Sequence, residues 1–185
     1  MKVALMSHLA SERAPTGAEH SLSLLARGLK ERDHEVAVTA PGRWALEADL
    51  RAAGVHVQLI PVRACWLVQH DPRPMWEQGL RLARFGMLDS GAARLRRWLA
   101  AGQPDVVHVN CLPHVRGARA ARESGVPVVW HLREILPPGK RRRWFAARLR
   151  RDATRIIAVS EAVAGWLREE GLGELVEVVH NGVDP

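Results

Sequence analysis

The sequence predicts an α/β fold, a parallel sheet of about seven strands with helices on both faces. Three observations carry that prediction. Short apolar runs of strand length alternate with helical segments along the whole chain, an order that calls for crossover connections between parallel strands. Several of the runs, such as Val3-Ala4-Leu5-Met6 and Val126-Pro127-Val128-Val129-Trp130, carry almost no polar relief, as strands buried on both faces do. Gly, Pro and capping residues punctuate the boundaries, and no repeat or low-complexity tract interrupts them. The architecture expected is therefore doubly wound and Rossmann-like.

Taken in order, Lys2 to Ser7 is the first strand. A loop of about ten residues follows, longer than most strand-to-helix connections. Thr16-Gly17-Ala18-Glu19 is a capping box: the Thr16 hydroxyl caps a helix and Glu19 reaches back from the third position. Ala18, Leu22, Leu25, Ala26 and Leu29 recur at helical spacing. His34 to Ala40 is a second strand, stopped by Pro41-Gly42. Trp44 to Ala53 is a short helix with Leu46 and Leu50 on one face, and Val55 to Pro61 is a strand nearer the edge.

Pro72 and Pro74 mark a loop, and Met75 to Leu99 is helical in composition, broken at Gly86 and at Ser90-Gly91. One helical face carries Trp76, Leu80, Ala83 and Met87; another carries Leu95, Trp98 and Leu99. Strands are expected at 104–110, 126–131, 155–159 and 175–179, with helices at 113–123, 140–152 and 161–170. Ser160 caps the last of these helices.

At 185 residues and 47% hydrophobic composition, the chain has enough apolar material for one full core, which excludes wholesale disorder. Cys65 and Cys111 are far apart and form no metal or redox spacing, so both are expected as buried thiols. The formal charge of +7 is compatible with nucleic acid, anionic lipid or phosphorylated ligands and selects none of them. There is no G-x-G-x-x-G, no Walker phosphate loop, no G-x-S-x-G and no metal-spaced His pair with a carboxylate. No RNA-binding motif supports a nucleic-acid partner.

Ligands on such sheets sit beyond the carboxyl ends of the strands, where strand order reverses. Those ends supply Ser7 and His8, Asn110 and Cys111, His131 to Glu134, Ser160 and Glu161, and His180 to Gly182. His131 is either a half-buried histidine satisfied by the protein or a group that bonds a ligand hydroxyl or phosphate. Arg133 either grips a phosphate through its planar fork or pairs with Glu134. Asn110 either spans a sugar or closes a turn, and Ser160 either caps only or also faces ligand. At the start of the first helix, free N–H groups point over the end of the first strand, and Gly17 lets a ligand come close to the backbone. The run Lys140 to Arg151 is a basic helix with Phe145 and Leu149 on one face. It is either an ordinary surface helix packed on the sheet or an interfacial helix on anionic lipid.

Together these features resemble the N-terminal half of a family 4 glycosyltransferase of the GT-B fold. The resemblance rests on Gly17-Ala18-Glu19, on Leu25-Ala26-Arg27-Gly28-Leu29 leading to His34-Glu35-Val36, and on Pro104-Asp105-Val106-Val107-His108-Val109. Val128-Val129-Trp130-His131, Ile157-Ala158-Val159-Ser160-Glu161 and Asn181-Gly182-Val183-Asp184 complete it. Thr16 stands where members often carry the first of two glycines.

The resemblance implies sugar transfer from a nucleotide-sugar donor, acting as co-substrate, to an acceptor, with retained anomeric configuration and neither metal nor other cofactor. It implies Gly17 and Ala18 at the donor phosphates and His131 as the catalytic-site histidine near the transferred sugar. Asn110, Arg133, Glu134 and Ser160 are the expected substrate- and acceptor-side residues, and the excursion from Cys65 to Gly91 is expected to shape the acceptor pocket. In this reading residues 1–185 form a single acceptor-side domain. A C-terminal nucleotide-sugar-binding domain is absent, and the chain does not turn over alone. The expected location is the cytoplasm, with peripheral contact between residues 140–151 and an anionic membrane and no nucleic-acid partner. The alternative is a non-catalytic sugar- or lipid-binding module of the same fold.

Overall fold

The computed structural model describes residues 1–65, 77, 80 and 90–182. Seven strands form one all-parallel sheet: β1 (Lys2–Met6), β2 (Glu35–Ala40), β3 (His56–Leu59), β4 (Val106–Asn110), β5 (Val128–Leu132), β6 (Arg155–Ala158) and β7 (Val176–Val178). Their spatial order is β3-β2-β1-β4-β5-β6-β7. Strand order therefore reverses between β1 and β4, where Val3 to Met6 pair with Val106 to Val109. The doubly wound fold expected from the alternation is the fold observed.

The helices are α1 (Gly17–Lys30), α2 (Glu47–Ala52), α3 (Ser90–Gly102), α4 (Val115–Glu123), α5 (Lys140–Asp152) and α6 (Glu161–Glu169). A 3₁₀ turn at Gly173–Leu175 leads into β7. Alternation along each strand divides the core in two. Val3, Leu5, Val36 and Val38 pack with Leu22 and Ala26 of α1 and Leu50 of α2. Ala4, Met6, Val107, Val109 and Trp130 pack with residues of α3 to α6 on the other face, including Leu95, Ala118, Phe145 and Leu167.

Most boundaries fall within one or two residues of expectation, the usual scatter at element ends. The helix expected over 44–53 is shorter, because Trp44 enters the core before the helix begins and Leu46 at its start has no side-chain cap. Ser90 and Gly91, expected as a break, are helical within α3, the residues before them lie outside the described ones, and Leu95 and Leu99 face inward as the periodicity requires. Of the other apolar face only Leu80 is described, and it is 57% exposed. The loop at Pro72 and Pro74 and the break at Gly86 lie outside the described residues, as does most of the excursion from Cys65 to Gly91. Both cysteines are buried and neither is in a disulfide.

The basic helix α5 packs as a core helix. Phe145, Ala146 and Leu149 are at most 2% exposed and belong to the larger core, so the stripe read as a possible lipid-facing surface is occupied by the sheet. Arg142 is buried with it. Its Nη2 donates to Glu169 at 2.6 Å and to the Trp166 carbonyl at 3.2 Å, and its Nε lies 2.8 Å from Glu170. Trp166 in turn donates from Nε1 to the Glu134 carbonyl at 3.0 Å, tying α5 and α6 to the loop after β5.

Candidate functional site

The carboxyl ends of β1, β4 and β5 and the start of α1 meet at the point of strand reversal. On β4 and β5 the residues facing α1 at this end are polar. His108 and Asn110 alternate with the core residues Val107 and Val109, and His131 pairs in register with Asn110. Arg133 follows two residues later on the same side. Burying polar groups here is tolerable only if they bond one another, and they do. Asn110, fully buried, donates from Nδ2 to the Ala18 carbonyl at 3.0 Å and accepts from Arg133 Nη1 at 2.9 Å. Arg133 Nη2 donates to Ser21 Oγ at 2.6 Å. The first turn of α1 is thereby fastened to the ends of β4 and β5.

Arg133 therefore spends its guanidinium on Asn110 and Ser21 rather than on the ion pair with Glu134 that the sequence allowed. The Glu134 carboxylate accepts instead from backbone: from the Leu112 N–H at 3.2 Å to each oxygen and from the Arg133 N–H at 3.1 Å. Cys111 between these groups has φ +71°, an uncommon conformation for a non-glycine residue. Its N–H donates to the His131 carbonyl and its own carbonyl accepts from Trp130 Nε1, both at 2.9 Å, which holds the turn. Burial, then the Glu134 carboxylate, pushes the Cys111 thiol up to about 12, so it stays protonated.

The capping box is formed. Glu19 Oε2 accepts from the Thr16 N–H at 2.8 Å, and the Glu19 N–H donates to Thr16 Oγ1 at 3.4 Å. Glu19 does more than cap. Its two oxygens also accept from the Ser11 N–H and hydroxyl, each at 2.8 Å, which pins the loop between β1 and α1. Burial alone would raise its pKa, but the bonds from Thr16 and Ser11 together hold it below the ordinary carboxylate value. Gly17 is exposed, and a Cβ built there would meet no atom of the described residues within 4 Å. Among the described residues nothing in the packing demands glycine at that position. Gly17 and Ala18 open the helix, so their N–H groups have no carbonyl four residues back to bond.

His131 is half-buried. Its Nδ1 lies 3.2 Å from Nε2 of His108, with the rings at 82°. Burial, then Arg133, pushes His131 down to about 4; burial, then His131 and Arg133, pushes His108 down to about 3. Both are neutral at pH 7. His131 also lines a cavity of about 580 Å³ between α1 and residues 179–182, with Ser21, Leu25, Gly28 and Asn181 among its walls. Ser160 stands on the same rim, two residues beyond β6. Its hydroxyl accepts from the Val163 N–H at 3.3 Å as the cap of α6. The structure thus brings Ala18, Asn110, Arg133 and Ser21 into one bonded group, with Gly17 and His131 beside it, the latter paired with His108, and Glu134 just beyond; it records no contact from Ser160 to that group. Sequence reasoning gave no role to Ser21 or Ser11. The sequence offers His108 as a lesser strand-end candidate within the run Pro104 to Val109.

Against this geometry, the model described as Glycosyltransferase Family 4 matches residues 15–185. The chain belongs to glycosyltransferase family 4. A comparison with curated protein sequences finds no match. Among solved structures, this family 4 chain is similar to Anabaena Alr3699/HepE in complex with UDP-glucose, at 22% identity and TM-score 0.71, covering 100% of this chain and 44% of that one. It is similar to MurG of Acinetobacter baumannii at 15% identity and TM-score 0.62, covering 99% and 46%. It is also similar to the UDP-GlcNAc 2-epimerase of Methanocaldococcus jannaschii at 18% identity and TM-score 0.55, covering 98% and 46%. The chain spans less than half the length of each. At these identities the likeness shows the fold alone.

Proposed function

We propose that this family 4 chain is the acceptor-binding half of a retaining, nucleotide-sugar-dependent glycosyltransferase that works in the cytoplasm. The observation that carries the reading is the open turn at Gly17 and Ala18, bonded through Asn110 to the strand end that bears His131. A helix N-terminus with free N–H groups and no side chain in the way suits the diphosphate of a sugar donor. Charge that develops on the leaving diphosphate would be met by donors already in place, with no reorganisation at the moment of transfer. Arg133 lies behind that turn and adds positive potential while its bonds hold Asn110 and Ser21 still. His131 would stand beside the transferred sugar, and Glu134 and Ser160 would border the acceptor. The nucleotide pocket would come from a second half, so the chain alone would not turn over. UDP-glucose on a similarly folded protein supports a nucleotide-sugar donor.

The test is sugar transfer measured with the 185-residue chain and with a longer protein that continues past Pro185. No transfer is expected from the short chain. In the longer protein, Gly17→Val is expected to lower kcat/KM by about 10-fold or more with the fold intact, on the order of 1.4 kcal/mol of lost transition-state stabilisation. Substantial transfer by the short chain would overturn the half-enzyme reading. Unchanged kcat/KM in Gly17→Val would overturn the phosphate assignment.

A further inference from the structure

β3 is an edge strand of the sheet. The Ile60 N–H donates to the Ala40 carbonyl at 2.8 Å, so His56, Gln58 and Ile60 turn their backbone groups toward β2. Val57 and Leu59 therefore turn theirs outward. Arg51 Nη2 donates to the Val57 carbonyl at 2.7 Å, and Glu47 holds the same guanidinium at 2.9 Å. The Val57 N–H and both backbone groups of Leu59 have no partner among the described residues. A strand edge with open donors and acceptors is a template for one more strand.

Beside this edge, on the face that carries the larger core, α3 and the sheet enclose a trough. One part is a cavity of about 260 Å³ walled by Gln58, Ile60, Arg94, Arg97 and Trp98. The other is a cavity of about 300 Å³ whose walls include Ala37, His56, Trp98 and Ala101. Trp98 belongs to both; it is half-buried and packs on the larger core. Arg94 and Arg97 lie one turn apart on α3, both exposed, and neither has a carboxylate partner among the described residues. Arg96 between them does, meeting Glu123 at 3.3 Å on the side toward α4. At the far end of the trough Lys2 and Glu35 offset each other at 3.7 Å. The trough is thus cationic at one end and apolar around Trp98.

We propose that the β3 edge and this trough dock an extended, acidic peptide segment of a partner protein, added to the sheet as an eighth strand. Main-chain bonds to Val57 and Leu59 set its register, and alternate side chains fall on the trough side. A carboxylate there meets Arg94 and Arg97, and an apolar side chain meets the Trp98 ring. A flat bilayer satisfies neither demand, because Trp98 lies in a recess and the open edge groups pair with another backbone. The inference is independent of the glycosyltransferase reading.

Fluorescence anisotropy of the 185-residue chain with a labelled short peptide alternating glutamate and valine tests it at low salt. Saturable binding is expected, and none with a peptide alternating lysine and valine. Arg94→Glu combined with Arg97→Glu is expected to weaken binding about 10-fold or more. Lys140→Glu combined with Arg143→Glu, an equal change of net charge at other exposed residues, should leave it within about twofold. In the bound parent chain, hydrogen exchange at the Leu59 amide is expected to slow. Absence of saturable binding, equal binding of the lysine peptide, or equal loss in the two charge-reversed chains overturns the inference. An unchanged Leu59 exchange rate also overturns it, since the peptide then lies off the strand edge. So does binding to phosphatidylglycerol vesicles that Arg94→Glu with Arg97→Glu abolishes while no peptide binds, which assigns the two arginines to lipid. If that variant does not fold by circular dichroism, Leu59 exchange and the lysine peptide still decide on the parent chain.

Discussion

Replacing Glu19 by Gln tests how the loop over the candidate site is held. Glu19 is fully buried, and its carboxylate accepts three bonds at 2.8 Å from Ser11 and Thr16. Two of them converge on Oε2. A Gln side chain has the same shape but only one acceptor oxygen. Its amide nitrogen must then face either the Ser11 N–H or the Thr16 N–H, and a donor meets a donor in a partly buried loop. Leaving such a donor unmatched where water is partly shut out costs about 1–3 kcal/mol, and the loss of charge weakens the bonds that remain. The expected destabilisation is therefore about 2–3 kcal/mol, which for a chain of this size lowers Tm by roughly 5–10 °C. Thermal unfolding of the two proteins at pH 7 measures it.

The pH dependence has a definite sign. The Glu19 pKa is lower folded than unfolded, so its contribution is complete above the ordinary carboxylate value of 4.5 and is lost as pH falls through the lower folded value. The gap between parent and variant should narrow in that acid range. His108 and His131 carry no contribution from the Glu19 charge and cancel in the difference, whereas His8, whose pKa the Glu19 carboxylate raises against its burial, does not, so the comparison is read in the acid carboxylate range. Equal Tm at pH 7, or a gap that widens in acid, would refute the account.

Gly117→Ala in α4 is expected to destabilise, although Gly→Ala in an exposed helix ordinarily gains about 1 kcal/mol. The new Cβ would lie 2.5 Å from Cε1 of His114, a buried ring that would have to shift, and overpacking of this kind costs about 1–3 kcal/mol. Urea unfolding should show the loss, and His114→Ala combined with Gly117→Ala should recover part of it; a Gly117→Ala protein more stable than its parent would dismiss the clash. For residues 140–151, whose apolar stripe is buried, any membrane contact falls to exposed cations such as Lys140 and Arg143. Sedimentation with vesicles is then expected to recover more protein on anionic than on neutral lipid at low salt and to lose the difference at high salt. Equal recovery at low salt removes the membrane from the proposal.

The features legible in the sequence were those written locally. The capping box at Thr16 and Glu19 needs partners three residues apart, and it formed as the spacing predicts. The apolar runs declare buried strands because a strand covered on both faces has no polar side to show. The bonds that make the rim into a site join residues far apart in the chain: Asn110 meets Ala18 across 92 positions, and Arg133 meets Ser21 across 112. No spacing rule reports such pairs. For the same reason Arg133 could be read as a phosphate ligand or as a partner of Glu134, when its bonds run to a helix encoded at the other end of the chain.

One signal was nevertheless present. In a strand buried on both faces every position should be apolar, yet His108, Asn110 and His131 occur at alternate positions of β4 and β5, next to the point where strand order reverses. Period-two polarity inside otherwise apolar runs places all three on one face, and closure of the sheet places that face against α1. Polar groups so enclosed must bond one another, which costs side-chain freedom and gains a fixed geometry. Asn110, Arg133 and Glu134 each commit donors or acceptors in this way. The exposed turn at Gly17 and Ala18 is the place on this rim where a ligand has something to add.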